Sequence, residues 1–325
     1  MAMAARTKHD ALFKGAWRGR ALPWLLGASL LGVAPPVAAH EAGPPAVMRA
    51  EIDNLAGAID AAKAARLDTS QGRVLLVLDI DNTLLTMPQY LGGDRWFNHH
   101  VSRIAAGTDP DFADVSALIA AQTALFGLAS MEPTQPDIPE LLSEARAAGV
   151  DLFLLSARGP DLYDATRREL DRNAIRFDAP YACAFFLCTG NGVYGDREIR
   201  AALAAIGENP PASPYRNILI RDGVMLVAGQ DKGVMLKLLM AAIGGRGYAG
   251  VVVADDGQRN IDALAASGNP VPLSLFHYRR IDTAVTAAED REAQARLRAL
   301  RAVLCPALQT AFCPQHRPVR RGAGK

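Results

Sequence analysis

The sequence of 325 residues has little of several features that would indicate a function class by themselves. Its formal net charge is only +1, so it lacks the basic surplus typical of nucleic-acid-binding proteins. Nothing in its composition indicates a disordered chain or a repeat array. Its four cysteines include no C-x-x-C pair, which disfavours a zinc site or a thioredoxin-like centre. These absences leave a globular protein that acts on something other than nucleic acid.

The first 39 residues have the layout of a secretory signal. Five basic side chains and one acidic side chain precede an apolar run from Ala21 to Val33, and small residues follow it. The run is shorter than the roughly 20 apolar residues that a spanning helix needs. We therefore expect cleavage after Ala39 rather than a retained membrane anchor. Because the leader has no twin-arginine pair, the general export route is implied, and the mature protein is expected to be periplasmic or secreted with no stable membrane span.

The four cysteines lie in the part of the chain that would be exported, where an oxidising environment permits disulfides. Cys305 and Cys313 bracket a proline at a predicted helix end and turn, so we expect them to be bonded. Cys183 and Cys188 stand five positions apart in an apolar stretch that is typical of one strand. On a straight strand their side chains would point to opposite faces, so we expect these two thiols to be free.

The centre of the sequence is the segment 74–83, which reads Val-Leu-Leu-Val-Leu-Asp-Ile-Asp-Asn-Thr. Its five apolar residues predict a strand buried on both faces, as in a parallel sheet. Open α/β sheets bind ligands at the carboxyl ends of such strands. Because side chains alternate along a strand, Asp79 and Asp81 point the same way, and two carboxylates this close favour a divalent cation between them. The alternative is that the two aspartates only cap the turn from strand to helix.

This segment resembles the first motif of the haloacid dehalogenase-like superfamily, D-x-D-x-T, which is matched at Asp79, Asp81 and Thr83. The resemblance implies that Asp79 attacks a phosphoryl group and becomes an aspartyl-phosphate. It implies that Asp81 protonates the leaving oxygen and later activates water. Thr83 is counted with the residues expected to bind the phosphate.

Two further segments resemble the second and third motifs of the superfamily, in the expected order. A predicted strand over 150–155 ends in Ser156, whose hydroxyl would bond the phosphoryl group, although a lone serine there also suits a helix N-cap. Arg158 is either a further phosphate contact or the partner of an acidic side chain. Lys232 opens a predicted helix, where the helix dipole disfavours a cation unless an anion is bound. It would neutralise the phosphate and the nucleophile; the alternative is a solvated surface lysine.

The fourth motif is matched where the predicted strand 250–254 ends in two acids. The resemblance implies that Asp255 and Asp256, either or both, complete a Mg²⁺ site begun by Asp79 and Asp81. Asn260 stands where the family often has an aspartate, and we count it with the expected metal ligands.

About fifty residues, roughly 86–136, separate the first two motifs, and the superfamily places a cap there. A cap that closes over a site excludes water and adds substrate contacts. We expect it to be helical, with one helix within 112–129, and the run Gly92-Gly93-Asp94 predicts a tight turn near its start. Trp96 is interpreted equally well as a substrate-facing wall or as an aromatic residue of the cap core. The adjacent His99 and His100 are disfavoured as metal ligands because no partner stands at ligand spacing.

The remaining pattern predicts further elements in chain order. A helix within 40–72 is predicted from the apolar spacing of Val47, Ile52, Leu55, Ile59 and Ala62. The other predicted elements are helices over 138–148, 161–173 and 231–243, strands at 184–187 and 272–276, a turn at 189–192, a β-hairpin at 218–227, and an exposed charged helix over 283–304.

The sequence therefore predicts an α/β protein with a Rossmann-like core, a mostly parallel sheet, a helical cap and a small β-hairpin. The resemblance covers 73–276 of an expected 40–325 domain. It implies a Mg²⁺-dependent phosphohydrolase acting on a small phosphorylated substrate. One alternative is a binding or structural protein of the cell envelope whose fold has lost its catalytic activity. Loss of Asp79, Asp81 or Lys232 would mark such a protein, and this sequence has all three. The other is a phosphotransferase that uses the same residues.

Overall fold

An eight-stranded sheet organises the computed structural model, which describes residues 45–69, 72–177, 192–243, 247–282, 284–306 and 312–313. These residues belong to one compact unit, Gly43–Lys325. The strands are β1 (Val47–Ile52), β2 (Arg73–Leu78), β3 (Leu85–Thr86), β4 (Glu132–Pro133), β5 (Asp151–Ser156), β6 (Gly192–Tyr194), β7 (Ile218–Arg221), β8 (Val224–Leu226), β9 (Tyr248–Asp255) and β10 (Leu273–Tyr278). The predicted leader and its cleavage point lie outside the described residues.

Helices cover both faces of this sheet. They are α1 (Ala56–Asp68), α2 (Asp94–Ala105), α3 (Val115–Leu128), α4 (Ile138–Ala147), α5 (Tyr163–Arg172), α6 (Asp196–Ala205), α7 (Lys232–Ala242), α8 (Gln258–Ala266) and α9 (Ala287–Leu304), with a 3₁₀ turn at Pro160–Leu162. Across the described ranges, no helix combines the length and apolar character that crossing a membrane requires.

The large sheet has the strand order β1-β10-β9-β2-β5-β8-β7-β6, and the strands from β1 to β8 in this order are parallel. The centre of the order is β2, whose apolar residues are fully buried. Alternate side chains of β2 enter two separate cores: Leu76 and Leu78 pack on one face, and Leu75 and Val77 pack on the other. The predicted α/β class with a mostly parallel sheet is confirmed, because burial on both faces accounts for the uninterrupted apolar run.

The first strand corrects the predicted helix over 40–72. Residues Val47–Ile52 form β1, which pairs in parallel with β10 from Leu273 to Tyr278, and the helix begins only at Ala56. The apolar spacing of Val47 and Ile52 fits a helix, but β10 offers an unpaired edge whose backbone groups bond this segment. Tertiary pairing therefore overrides the local pattern.

The predicted hairpin is present as β7 and β8, which are antiparallel. Asp222 and Gly223 at its tip have φ angles of 48° and 75°, the left-handed values that a tight two-residue turn requires. The hairpin is part of the main sheet, since β8 pairs with β5. The strand predicted at 184–187 lies outside the described residues, and so does the turn predicted at 189–192 except for Gly192, which begins β6.

The insertion between the first two motifs forms a helical layer with its own apolar cluster. Trp96 is fully buried there and packs edge-on against Phe112, with ring centroids 5.6 Å apart. This position fits an aromatic residue of the cap core. His100 is also buried, and its Nδ1 lies 2.5 Å from Asp109 Oδ2, so its partner is a carboxylate inside the cap.

The C-terminal helix α9 is largely exposed, as predicted, but one side of it completes this cap. Ala293 and Leu297 are buried in the same cluster as Trp96. Ion pairs add to the apolar contact: Arg95 of α2 meets Glu289 at 3.2 Å, and Arg103 meets Asp290 at 2.9 Å. The charges that suggested an exposed helix therefore include partners for α2.

The predicted Cys305–Cys313 disulfide is confirmed, with Cα atoms 5.4 Å apart. The disulfide closes a short loop just after α9, and both cysteines pack against the apolar cluster of the cap. Cys183 and Cys188, which were predicted to be free, lie outside the described residues.

Candidate active site

The sheet brings the predicted residues together because their strands are neighbours. The central strand β2 lies between β9 and β5, so the segments that leave its carboxyl end meet those of its two neighbours. Asp79 continues the β2 ladder by donating its backbone N–H to Ala254 O at 3.0 Å. Asp255 is the last residue of β9, and Ser156 is the last residue of β5. Asp79 and Ser156 are 6% and 0% exposed, so the site is set into the core.

Lys232 is buried at the first position of α7 and is not a solvated lysine. Its Nζ lies 2.6 Å from Asp255 Oδ2 as a hydrogen bond. Lys232 Nζ also forms an ion pair with Asp79 Oδ1 at 2.7 Å, but the geometry of this contact is not that of a hydrogen bond. A side chain at Gly233 would collide with the Ala263 carbonyl of α8, so this glycine allows α7 to approach α8 closely and set Lys232 in place.

Three carboxylates form a group that could hold a metal ion. One oxygen from each of Asp79, Asp255 and Asp256 lies within 4.8 Å of the others. Asp255 Oδ1 accepts hydrogen bonds from Gly257 N at 2.9 Å and from Asn260 Nδ2 at 2.8 Å. Asn260 thus orients Asp255, and Asp81 lies outside the triad. Three hard oxygen donors fit a hard divalent cation.

The charge of this group is not balanced by the protein alone. Burial raises the pKa of Asp79 to about 7; Lys232 opposes this shift, and the charges of Asp255 and Asp81 add to it. Burial and the charges of Asp79 and Asp255 raise the pKa of Asp256 to about 9. Both shifts mean that the ionised triad is costly in the absence of a further cation.

Lowering the pH from about 8 to about 6 is expected to raise the melting temperature of the metal-free protein. The folded-state pKa values of Asp79 and Asp256 lie above the ordinary aspartate value of 3.8, so these groups cost stability once ionised, and the cost declines as the pH falls through those values. Excess Mg²⁺ at about pH 8 should raise the melting temperature by on the order of 5 °C. Scanning fluorimetry after chelation measures both effects. Asp256→Asn should lose most of the Mg²⁺ response; a flat pH profile with no cation response in the wild type would contradict this account.

Arg158 pairs with Asp81, which is an acidic partner of the kind that one of its two interpretations predicts. Its Nε and Nη2 donate to the two oxygens of Asp81, each at 2.8 Å. The guanidinium also donates to Thr166 Oγ1 at 2.8 Å and lies 4.2 Å from the ring centroid of Phe126 in α3. Arg158 is only 6% exposed. A planar bidentate contact of this kind fixes the orientation of the Asp81 carboxylate.

The two residues after Asp81 both form hydrogen bonds with Asp256 and so fix the position of this triad residue. Thr83 is fully buried, and its hydroxyl accepts from Asp256 N at 3.1 Å, so it orders the backbone that carries Asp256. Asn82 has a left-handed φ of 55°. Its Nδ2 donates to Asp256 Oδ2 at 3.4 Å and to Asp94 Oδ2 at 3.3 Å. Ser156 Oγ accepts from Arg158 N at 3.3 Å.

Asp94 is the residue of this site that sequence reasoning missed, since Gly92-Gly93-Asp94 predicted only a tight turn. It is the first residue of the cap helix α2. Burial, with the charge of Asp81 as the largest charge effect, raises the pKa of Asp94 to about 7. The available signal was an acid placed directly after two glycines at the start of the cap. Gly92 has φ 86°, and a side chain there would press on Leu125 of α3, so the turn is closely packed.

The fold and the site define an α/β protein with a candidate metal centre at the carboxyl ends of its central strands. Residues 50–306 match the family described as "Protein of unknown function (DUF2608)", and the chain belongs to this family. No curated protein matches the chain, and no solved structure matches it either.

Proposed function

We propose that this protein is a Mg²⁺-dependent phosphohydrolase in which Asp79 forms an aspartyl-phosphate. The observation that carries the proposal is the contact of one buried lysine, Lys232, with both Asp79 and Asp255 at the end of the central strand. A buried carboxylate held by a cation, beside further metal-binding carboxylates, is suited to attack a phosphoryl group once the charge there is neutralised.

The proposed reaction assigns the first displacement to Asp79. Lys232 holds Oδ1 of Asp79, which leaves Oδ2 for attack on phosphorus. A bond forms between Asp79 and phosphorus, and the bond to the leaving oxygen breaks. Asp81 gives a proton to that oxygen, then takes one from the water that attacks the aspartyl-phosphate and releases inorganic phosphate. Asp81 is oriented for both steps by Arg158.

Lys232 and Ser156 would contact the phosphoryl oxygens. The Ser156 hydroxyl accepts from a backbone N–H, so its own hydrogen is available for donation. Asp79, Asp255 and Asp256 would hold the cation, with Asn260 orienting Asp255. A bound Mg²⁺ would neutralise charge on the transferring group, and the all-oxygen donor set favours this hard cation.

The proposal also places the protein outside the cytoplasm. The basic leader, the short apolar run and the small residues before His40 support export by a cleaved signal. The substrate is proposed to be a small phosphorylated molecule, because the cap covers a site set into the sheet. Nucleic acid is not expected as a partner, given the near-zero net charge.

The proposal predicts phosphate release from p-nitrophenyl phosphate and from a panel of small phosphomonoesters. With Mg²⁺ we expect turnover on the order of 1 s⁻¹ or faster on a good substrate. Chelation should abolish it, and added Mg²⁺ should restore it. Adding an alcohol acceptor distinguishes a phosphotransferase, since transfer would yield a new ester in place of inorganic phosphate. A correctly folded protein that releases no phosphate from any ester under either condition would refute the proposal.

A further inference from the structure

The site carries more negative charge than the proposed chemistry uses. It contains five carboxylates, from Asp79, Asp81, Asp94, Asp255 and Asp256, and two cationic side chains, Lys232 and Arg158. When all five carboxylates are ionised, a divalent cation would compensate two of the three unbalanced charges and leave one. The triad and Asp81 have roles in the proposed reaction, whereas Asp94 has none.

The Asp94 carboxylate is held in place by hydrogen bonds to one of its two oxygens. Its Oδ2 accepts from Asn98 Nδ2 at 2.8 Å and from Asn82 Nδ2 at 3.3 Å. Within the described part of the chain, no group donates to Oδ1, and no lysine or arginine forms an ion pair with this carboxylate. Asp94 as a residue is half-buried and is not sealed within the core, so a ligand that enters under the cap can reach it.

The position of Asp94 relates it to the leaving group. Asn82, which holds Asp94, lies directly after Asp81 in the chain, and Asp81 exerts the largest charge effect on Asp94. In the proposed reaction Asp81 protonates the leaving oxygen. Asp94 therefore lies on the side of the site where the alcohol part of the ester would sit, and it belongs to the cap.

We propose that Asp94 is a specificity-determining residue that pairs with a cationic nitrogen in the leaving group, so that the preferred substrates are phosphomonoesters of amino alcohols. This inference rests on the proposed phosphohydrolase function. An ammonium group would supply the missing positive charge and a donor for Oδ1. An anionic leaving group would add to the surplus and be rejected, so one carboxylate provides both attraction and repulsion.

The test compares 2-aminoethyl phosphate with propyl phosphate, which match in length and differ in charge. The readout is the ratio of their kcat/KM values, measured within each variant so that a general loss of activity cancels. We expect the wild type to favour the amine by about 10-fold or more, the effect of one added ion pair of about 1.4 kcal/mol. Asp94→Asn should bring the ratio close to one. Glu132→Gln, which removes an exposed acid elsewhere in the insertion, should leave it unchanged.

Several outcomes would overturn the inference. A wild-type ratio near one, with both esters hydrolysed, refutes it and leaves the phosphohydrolase proposal standing. The same applies if Asp94→Asn keeps the wild-type ratio, or if it raises only the Mg²⁺ concentration needed for activity. If Asp94→Asn does not fold, the ratio is measured in Asp94→Glu instead, and the inference requires that it be lower than in the wild type. Absence of turnover on every phosphoester refutes both proposals together.

Discussion

Asp79→Asn is expected to lower Mg²⁺-dependent phosphate release by about four orders of magnitude or more. An amide is a poor nucleophile, and the substitution also removes one negative oxygen of the triad that would hold the cation. Steady-state assays measure the loss. Acid quenching during turnover, followed by mass spectrometry, should find phosphate on Asp79 in the wild type and none in the variant.

The fold should survive this substitution. Asparagine has nearly the shape of aspartate, and burial raises the pKa of Asp79 to about 7, so the ionised form is the costly one. Without metal at about pH 8, the melting temperature of Asp79→Asn should therefore be no lower than that of the wild type. Asp81→Asn provides a contrast, since loss of proton transfer costs about 10²- to 10⁴-fold. Wild-type turnover in Asp79→Asn would show that another group is the nucleophile.

Lys232→Met is expected to have the second largest effect, on stability as well as on rate. The substitution leaves Asp79 and Asp255 without the lysine that contacts both. Breaking a buried ion pair by removing one partner costs roughly 3–5 kcal/mol. Phosphate release should fall about 10³-fold, in the range seen when a stabilising donor is lost from a site.

The stability loss in Lys232→Met should depend on pH in a defined direction. Burial lowers the pKa of Lys232, but the charges of Asp255 and Asp79 outweigh it, so the pKa is raised. The lysine therefore stabilises the wild type at all pH values below its unfolded pKa of about 10.5. In the variant, protonation of the carboxylates replaces the lost cation, so the deficit should be large at about pH 8 and smaller at about pH 6.

A second lysine of α7 provides the control for this prediction. Lys237 pairs with Glu208 at 2.5 Å, and the Glu208 side chain is 38% exposed, so water can solvate this acid when the lysine is removed. Lys237→Met should cost no more than about 1 kcal/mol and leave turnover unchanged. Denaturant unfolding at both pH values measures the two variants. Equal stability and equal activity of the two at about pH 8 would show that Lys232 has no special role.

The local sequence predicted the centre of this fold because the relevant physics is local there. A strand buried on both faces needs an unbroken apolar run, and β2 has one. The same run places Asp79 at the end of the strand, and parallel neighbours bring Ser156 and Asp255 to the same edge. The Asp-Gly turn of the β7–β8 hairpin was predictable for a similar reason, since its backbone angles suit these residues.

Tertiary structure decided which partners these residues have. Arg158 was predicted with two alternatives, and only the packing of β5 beside β2 brings its guanidinium to Asp81. Asp94 could be interpreted only as part of a turn, because its neighbours Asn82 and Asp81 belong to the core and not to its own segment. No local pattern specifies a contact between an insertion and the sheet that it covers.

One element was misinterpreted and another was interpreted only in part, for the same reason. The apolar residues of β1 fit a helical spacing, and the unpaired edge of β10 made them a strand. The charged helix α9 looked exposed, but Ala293 and Leu297 on one side of it complete the cap core, and its acids pair with α2. The sequence by itself determined the central strand, the motif positions and the Cys305–Cys313 bond, which depend on nearby residues. The edge pairing, the composite cap and the placement of Asp94 depend on surfaces supplied by distant segments, so only the tertiary structure decided them.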